Sequence, residues 1–561
     1  MNDLFGLLAP ELIVTGGAAA VLLLGVSAAE PARGYTRLVA LFSVFLAFCV
    51  TWYDPVEKPV ELAGMRFGPL SYYVRLIALS IGMLVLLVNW HLPAPQERGE
   101  HFAMILFSLT GIMLTSLADD LVLLFLAVEL VSVPNYVLVS IGRSDIRAQE
   151  AGLKYFFLGA LSAGLLVYGF SFLYGASGTT VLSRMSLAEE GGFVTVGLLL
   201  AFCGLAFKVA AVPFHTYAAD VYQGAAAPVT GLLGFFPKVA GFVAFIKLLL
   251  LVQPPAQVLA RGWDLPSPAF VFLWMAAAAT MTVGNVLGLM QSNVKRMLAY
   301  SSIAHSGYML VALLAGPVVS GGPLRDGLSA MLFYIVIYGV MNLGAFAVLA
   351  LIQVRGAPAE ELDDLAGLSR REPLAALALA VCVFSLMGMP PTAGFFGKVY
   401  VFSTALATDP SMGRGPAMVA LAVVGLLNSA VAAGYYLRIV AACYLREPVA
   451  EPAARPRDHG VRLGLLGCCV AVLVLGVWPE GLLKMARMPF DDLTAPAGAV
   501  TRLEQNPPLI LPAIPAVNGE PLVMTHPRPP GQGQLPQPRI VSPTLAPPSS
   551  AFLIESTGTK R

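Results

Sequence analysis

The chain is a succession of apolar runs, each about 20 residues long, separated by connections that carry most of its charges. A helix of that length spans the roughly 30 Å hydrocarbon core of a bilayer. About 14 such runs are legible, near 9–29, 35–53, 70–90, 102–118, 121–141, 150–176, 193–212, 227–253, 268–290, 295–316, 328–354, 373–405, 416–444 and 461–479. Of the 561 residues, 57% are hydrophobic and 12% charged, against about 25% charged in a soluble domain. The chain reads as an all-α polytopic membrane protein.

A net charge of +1 points to neither nucleic acid nor an acidic substrate. The cysteines Cys49, Cys203, Cys382, Cys443, Cys468 and Cys469 lie in or beside apolar runs and form no CxxC, so neither a metal site nor a disulfide framework is expected. No GxxxxGK[ST] is present either. The acidic N-terminus "MNDLFGLLAPE" lacks the basic region of a signal peptide, so the first run is expected to remain as a helix.

Lysine and arginine set the orientation. Loops after odd-numbered runs carry 15 of them, Arg33, Arg143 and Lys295 included. Loops after even-numbered runs carry six: Lys58, Arg66, Arg184, Arg261, Arg325 and Arg414. The odd loops are expected to face the cytoplasm and both termini the outer side. Residues 1–484 are read as the membrane domain. Residues 485–561 are so rich in proline that an extramembrane, largely irregular tail is expected.

An ionisable group in mid-membrane costs about 2.5–3.5 kcal/mol on insertion scales, which makes each one a functional candidate. Glu129 lies in run five, Lys208 in seven, Lys238 in eight, His305 in ten and Lys398 in twelve. Arg75 and Lys247 lie near run ends, where long cations reach the interface. His305 fits either a relay or a core histidine with bonded nitrogens. Prolines interrupt two of these runs: Pro213 in seven, Pro390 and Pro391 in twelve. An interior proline frees a backbone carbonyl, which in hydrocarbon must be served by protein or a hydrated cavity.

The two interrupted runs lie five apart. Runs four to eight (about 101–253) and nine to thirteen (about 268–445) therefore form two five-helix units. An odd helix count makes the second unit enter from the opposite face, an inverted repeat whose working site lies at the repeat interface. Lys208 and Lys398 then occupy corresponding fourth helices, and Glu129 and His305 corresponding second helices.

The segments "LFLAVELVSVPNYVLV", "GLAFKVAAVPFHTYAADVYQGAAAPVTGLL", "NVKRMLAYSSIAHSGYML" and "SLMGMPPTAGFFGKVYVF" carry a family resemblance. The chain resembles the antiporter-like membrane subunits of respiratory complex I, the proton-pumping NADH:quinone oxidoreductase, and among them it is most similar to subunit N. The resemblance covers most of residues 100–440. It implies a bacterial inner-membrane subunit that moves protons through Glu129, Lys208, Lys238, His305 and Lys398. It implies no cofactor in this chain, with NADH, FMN, iron–sulfur clusters and quinone in partner subunits. The implied partners are other membrane subunits, sister antiporter-like chains among them. Subunit M-like chains carry glutamate at the position of Lys398. Subunit L-like chains continue into a long lateral helix, which the prolines after run fourteen are expected to prevent. Two alternatives stand beside this reading: a stand-alone or hydrogenase-associated cation/proton antiporter, and a scaffold whose charges are internal salt bridges.

Overall fold

The computed structural model describes residues 2–491, except 28, 56–58, 93, 95, 144, 186, 188–190, 252–262, 264, 319–323, 355–356, 409–412 and 449–457, and then residues 501–502. Lys58, Arg261, Arg355, Arg455 and Arg457, counted above for orientation, lie outside the described residues, as does the proline-rich sequence beyond Arg502.

Among the described residues, twelve helices are long and apolar enough to cross a membrane. They are Ala9–Val26, Pro31–Tyr53, Pro69–Val88, Arg98–Leu117, Leu121–Ile141 and Ile146–Ser177 (spans one to six), then Ala227–Leu250 (eight). Ser267–Leu289, Val294–Ala315 and Gly327–Leu351 (nine to eleven) come next, with Gly415–Leu445 and His459–Val477 (thirteen and fourteen). The two remaining spans are the interrupted ones. Span seven is Gly192–Lys208 followed by Ala218–Gly224, and span twelve is Pro373–Met387 followed by Ala393–Leu406. Span eight is interrupted as well, between Ala227–Leu233 and Phe236–Leu250, a break not anticipated from sequence. Pro237 sits in the first turn of its second half, where a missing N–H removes no helical bond.

Short polar side chains start several helices where the chain enters the bilayer. The Asp120 carboxylate accepts from Val122 N at 2.8 Å, Asp145 from Ala148 N at 2.9 Å, Asn293 from Arg296 N at 3.1 Å and Asp458 from Val461 N at 3.1 Å. Each satisfies a donor that the first helical turn leaves open. Spans eight, ten and eleven are buried nearly throughout, whereas one, two, six and thirteen expose most of their apolar surface. The central three thus form a protein-lined interior in which a polar row can be held away from lipid. Spans one and four meet backbone to backbone: a Cβ on Gly25 would stand 2.6 Å from Gly99 Cα.

The loops sort onto two faces. Loops two, four and six join through their main chains, Asp119 N donating to Gly64 O at 2.8 Å and Leu121 N to Thr180 O at 2.9 Å. Arg414 of loop twelve donates to Trp263 O of loop eight at 3.1 Å. On the other face Arg143 of loop five pairs with Glu360 of loop eleven at 2.5 Å, and His91 of loop three with Asp458 of loop thirteen at 2.7 Å. Odd loops meet odd loops and even meet even, as an alternating path through fourteen spans requires.

Two features depart from the sequence reading. Helix persists past residue 484, in Glu480–Asp491, which holds Pro489 in its last turn. Thr501–Arg502 then adds a strand, parallel to Val60–Leu62, in a sheet completed by Met65–Phe67. Pro489 lies inside this helix without excluding it. Secondly, Arg75 does not reach the interface. It donates Nε to Glu11 Oε1 at 2.7 Å and a terminal nitrogen to Glu11 Oε2 at 2.8 Å, both side chains being 4% exposed. Its other bond, at 2.8 Å, goes to Leu7 O. A forked carboxylate partner in reach outweighs a stretch to the headgroups.

Breaking a buried pair strands a charge, at about 3–5 kcal/mol. Arg75→Leu should lower thermal stability in detergent markedly, and adding Glu11→Leu should recover most of the loss. Differential scanning fluorimetry of the two variants checks this.

Candidate functional site

The site begins where span seven stops. Lys208 is the last residue of its first half. The ammonium donates to Glu129 Oε1 at 2.7 Å and to Ser132 Oγ at 2.8 Å. Glu129 and Ser132 are three residues apart on span five, so they share a face. The Ser132 hydroxyl donates to Val128 O at 2.9 Å, leaving its lone pairs for the lysine.

Residues 209–217 carry no regular helix, and Ala210 adopts φ 56°, a left-handed conformation that few residues other than glycine accept. Pro213 lies inside this stretch. The groups freed here are served by side chains. Phe207 O accepts from Tyr217 OH at 2.9 Å, Val209 O from Ser306 Oγ at 2.5 Å, and Val212 N donates to Thr280 Oγ1 at 2.9 Å. Thr280 and Ser306 belong to spans nine and ten, so the second five-helix unit completes the break in the first.

Between Lys208 and Lys238 lies a cavity of about 10 Å³, whose lining includes Tyr155, Tyr217 and Tyr222. That is room for about one water. Lys238 donates to Ser302 O and stands 4.5 Å from the centre of the Tyr338 ring. The Tyr338 ring lies 5.0 Å from the His305 imidazole. His305 bonds through both nitrogens, Nδ1 to Tyr334 OH at 2.7 Å and Nε2 to Tyr436 OH at 3.0 Å. This fits a satisfied core histidine and a relay alike, because each hydroxyl can donate or accept. Tyr308 is 5.4 Å from His305 and places its ring 5.2 Å from the Lys398 ammonium.

Lys398 lies in the second half of span twelve and reaches back to Met387 O, at 2.8 Å, the last residue of the first half. Pro390 and Pro391 occupy the interval between the halves, beside Gly388 at φ 88°. Lys208 and Lys398 come from opposite sides of their breaks: Lys208 is itself the last residue of a half-helix, and the Lys398 amine reaches the last carbonyl of another. There the open carbonyls carry partial negative charge. Among the described residues, the ion pairs include Lys208 with a carboxylate but neither Lys238 nor Lys398, which have carbonyls and tyrosine rings instead.

The five residues singled out from sequence are linked in one row of contacts, Glu129 to Lys208 directly, Lys208 to Lys238 across the cavity, and Lys238, His305 and Lys398 by way of the Tyr338 and Tyr308 rings. Its intervals are filled by Ser132, Ser302, Tyr308, Tyr334, Tyr338 and Tyr436, which sequence reasoning did not name. A tyrosine inside an apolar run reads as filler. The available signal was spacing: Tyr334 and Tyr338 are four apart in span eleven and turn both rings to His305. Lys247, expected to reach the interface, donates to Ala118 O at 2.7 Å and stays off the row.

Comparison with known proteins agrees with this architecture. Residues 118–424 match the family described as NADH:quinone oxidoreductase/Mrp antiporter, TM. NADH-quinone oxidoreductase subunit N of Trichlorobacter lovleyi is 37% identical over 487 residues, covering 85% of this chain and 95% of that protein. A chain of respiratory complex I from Thermus thermophilus is similar in structure with a TM-score of 0.69 at 32% identity, covering 85% of this chain and 98% of that one. A chain of the Mrp complex from Dietzia reaches a TM-score of 0.72 at 21% identity, over 87% of this chain and 98% of that one, a likeness of fold alone. With more than half its length matched by the family model and relatives above 30% identity along most of it, the chain belongs to the subunit N family of NADH-quinone oxidoreductase, an antiporter-like complex I membrane subunit.

Proposed function

We propose that this chain translocates protons along Glu129, Lys208, Lys238, His305 and Lys398, driven by redox chemistry in partner subunits. The observation that carries the reading is the Glu129–Lys208 pair at 2.7 Å, with Lys208 buried beside a broken helix and a cavity leading to Lys238. Burial disfavours a charged lysine and a carboxylate favours it. While Glu129 is ionised and near, Lys208 keeps its proton; when Glu129 is neutralised or moves away, Lys208 releases the proton toward Lys238. His305 and its tyrosine hydroxyls pass it on, and Lys398 exchanges it with the outer side. NADH, FMN, iron–sulfur clusters and quinone belong to partner subunits in this reading. The odd loops face the cytoplasm of a bacterial inner membrane, with both termini outside.

A neighbour is also required by where Glu129 sits. Val122, Leu126, Val133 and Val137 are exposed and share a face of span five with Glu129, whose side chain is 18% exposed. Lipid against that stripe would meet a carboxylate at about 2.5–3.5 kcal/mol. Another membrane subunit of the complex covers it.

Two outcomes are expected. The chain should co-purify with other membrane subunits in mild detergent and transport little alone in liposomes; complex-like proton transport by the isolated chain would favour the stand-alone antiporter. Lys208→Ala should leave the complex assembled on a native gel and lower proton uptake per NADH oxidised in membranes. Lys208→Arg should do the same, because arginine keeps its charge and does not deprotonate in proteins. Normal pumping by the Arg variant would remove Lys208 deprotonation from the path.

A further inference from the structure

In an unbroken helix the carbonyl of Val209 would accept from the N–H four residues ahead. That residue is Pro213, which has no N–H. The donor comes instead from span ten, Ser306 Oγ standing 2.5 Å from Val209 O. The same oxygen lies 3.3 Å from Ser302 O, one turn back on its own helix. Ser302 O is also the acceptor of the Lys238 ammonium. A hydroxyl has one hydrogen, so Ser306 serves one of these carbonyls at a time.

We propose that Ser306 is a positioning residue, a two-position donor that couples the protonation of Lys238 to the broken segment beside Lys208. The inference rests on the proton-translocation reading above. With Lys238 charged, its ammonium serves Ser302 O through a charge-assisted bond, and the Ser306 hydrogen is left for Val209 O. Once Lys238 has passed its proton along the row, that bond weakens. The Ser306 hydrogen then turns to Ser302 O, and Val209 O loses its donor in a setting with little water to replace it. Residues 209–217, with Ala210 already in a left-handed conformation, are loosened immediately after Lys208. No covalent bond to the Ser306 oxygen breaks; the only proton transferred is the one leaving Lys238. The span-ten hydroxyl thereby reports the state of one lysine to the backbone holding the other. Thr280 provides the contrast. It also serves the break, through Val212 N, and its other bond goes to Ala276 O of its own helix, not to a residue of the row.

The charged and titratable groups around Lys238 are Lys208, Tyr155, Tyr217 and Tyr222 across the cavity, Tyr338 at its ammonium and His305 on span ten. None of them replaces the Ser306 hydrogen at Val209 O.

Amide hydrogen exchange across residues 209–217 of the assembled complex, read by mass spectrometry, tests the coupling. Lys238→Met, which cannot serve Ser302 O, should speed exchange there about fivefold, the factor for one net hydrogen bond. Lys238→Arg, always charged, should leave it at the parental rate. Ser306→Ala should match Lys238→Met, and the double variant should exchange no faster than either. Parental exchange in Lys238→Met, or additive effects in the double variant, would overturn the coupling. If Ser306→Ala fails to assemble, the Lys238→Met and Lys238→Arg pair decides it with Ser306 intact. Proton uptake per NADH in Lys208→Ala tests the underlying reading separately: its loss upholds proton translocation even where the exchange result rejects Ser306, and its retention overturns that reading.

Discussion

A carbonyl released from a helix inside hydrocarbon has no water to turn to, and this constraint shapes the centre of the protein. The breaks in spans seven and twelve are tolerable only because neighbouring side chains complete them. Ser306 and Thr280 do so for the first, and the Lys398 ammonium does so at Met387 O for the second. Each completing group comes from an element that also carries or adjoins the polar row. At the second break the completing group is Lys398 itself, so that break cannot be regularised without moving a residue of the row.

The row also shows how charge is managed at membrane depth. Glu129 and Lys208 neutralise each other. Lys238 and Lys398 are instead surrounded by carbonyls and by the negative faces of tyrosine rings. Such partners hold an ammonium less firmly than a carboxylate does, as the proposed proton transfer requires. His305, bonded on both sides to hydroxyls, adds no fixed countercharge between them.

Most of the architecture was legible because a bilayer writes itself into sequence as run length, and because an intramembrane charge or proline has few innocent explanations. Glu129, Lys208, Lys238, His305 and Lys398 stood out by cost alone. The hydroxyls between them did not, since Tyr334, Tyr338, Tyr436 and Ser306 are cheap anywhere in a helix and gain meaning only from neighbours on other spans. The break in span eight escaped notice because Pro237 falls at a helix start, where proline is benign. Arg75 was misplaced because run position alone cannot reveal a carboxylate 64 residues away. The helix at Glu480–Asp491 was hidden by the proline-rich composition of the residues C-terminal to it.

The two loop faces are fastened by different forces. Among the described residues, the even-loop face is joined by main-chain bonds, by hydroxyl donors to Asp119 and Asp120, and by donors to carbonyls. The odd-loop face gathers ion pairs, among them Arg143–Glu360, Arg296–Asp220, Lys154–Asp220 and Arg370–Glu447. The exposed pairs among them, Lys154–Asp220 and Arg370–Glu447, weaken as salt shortens the reach of charge, to about 8 Å at physiological ionic strength. Raising ionic strength on the odd-loop side should therefore weaken those exposed pairs, while the main-chain bonds of the opposite face respond little.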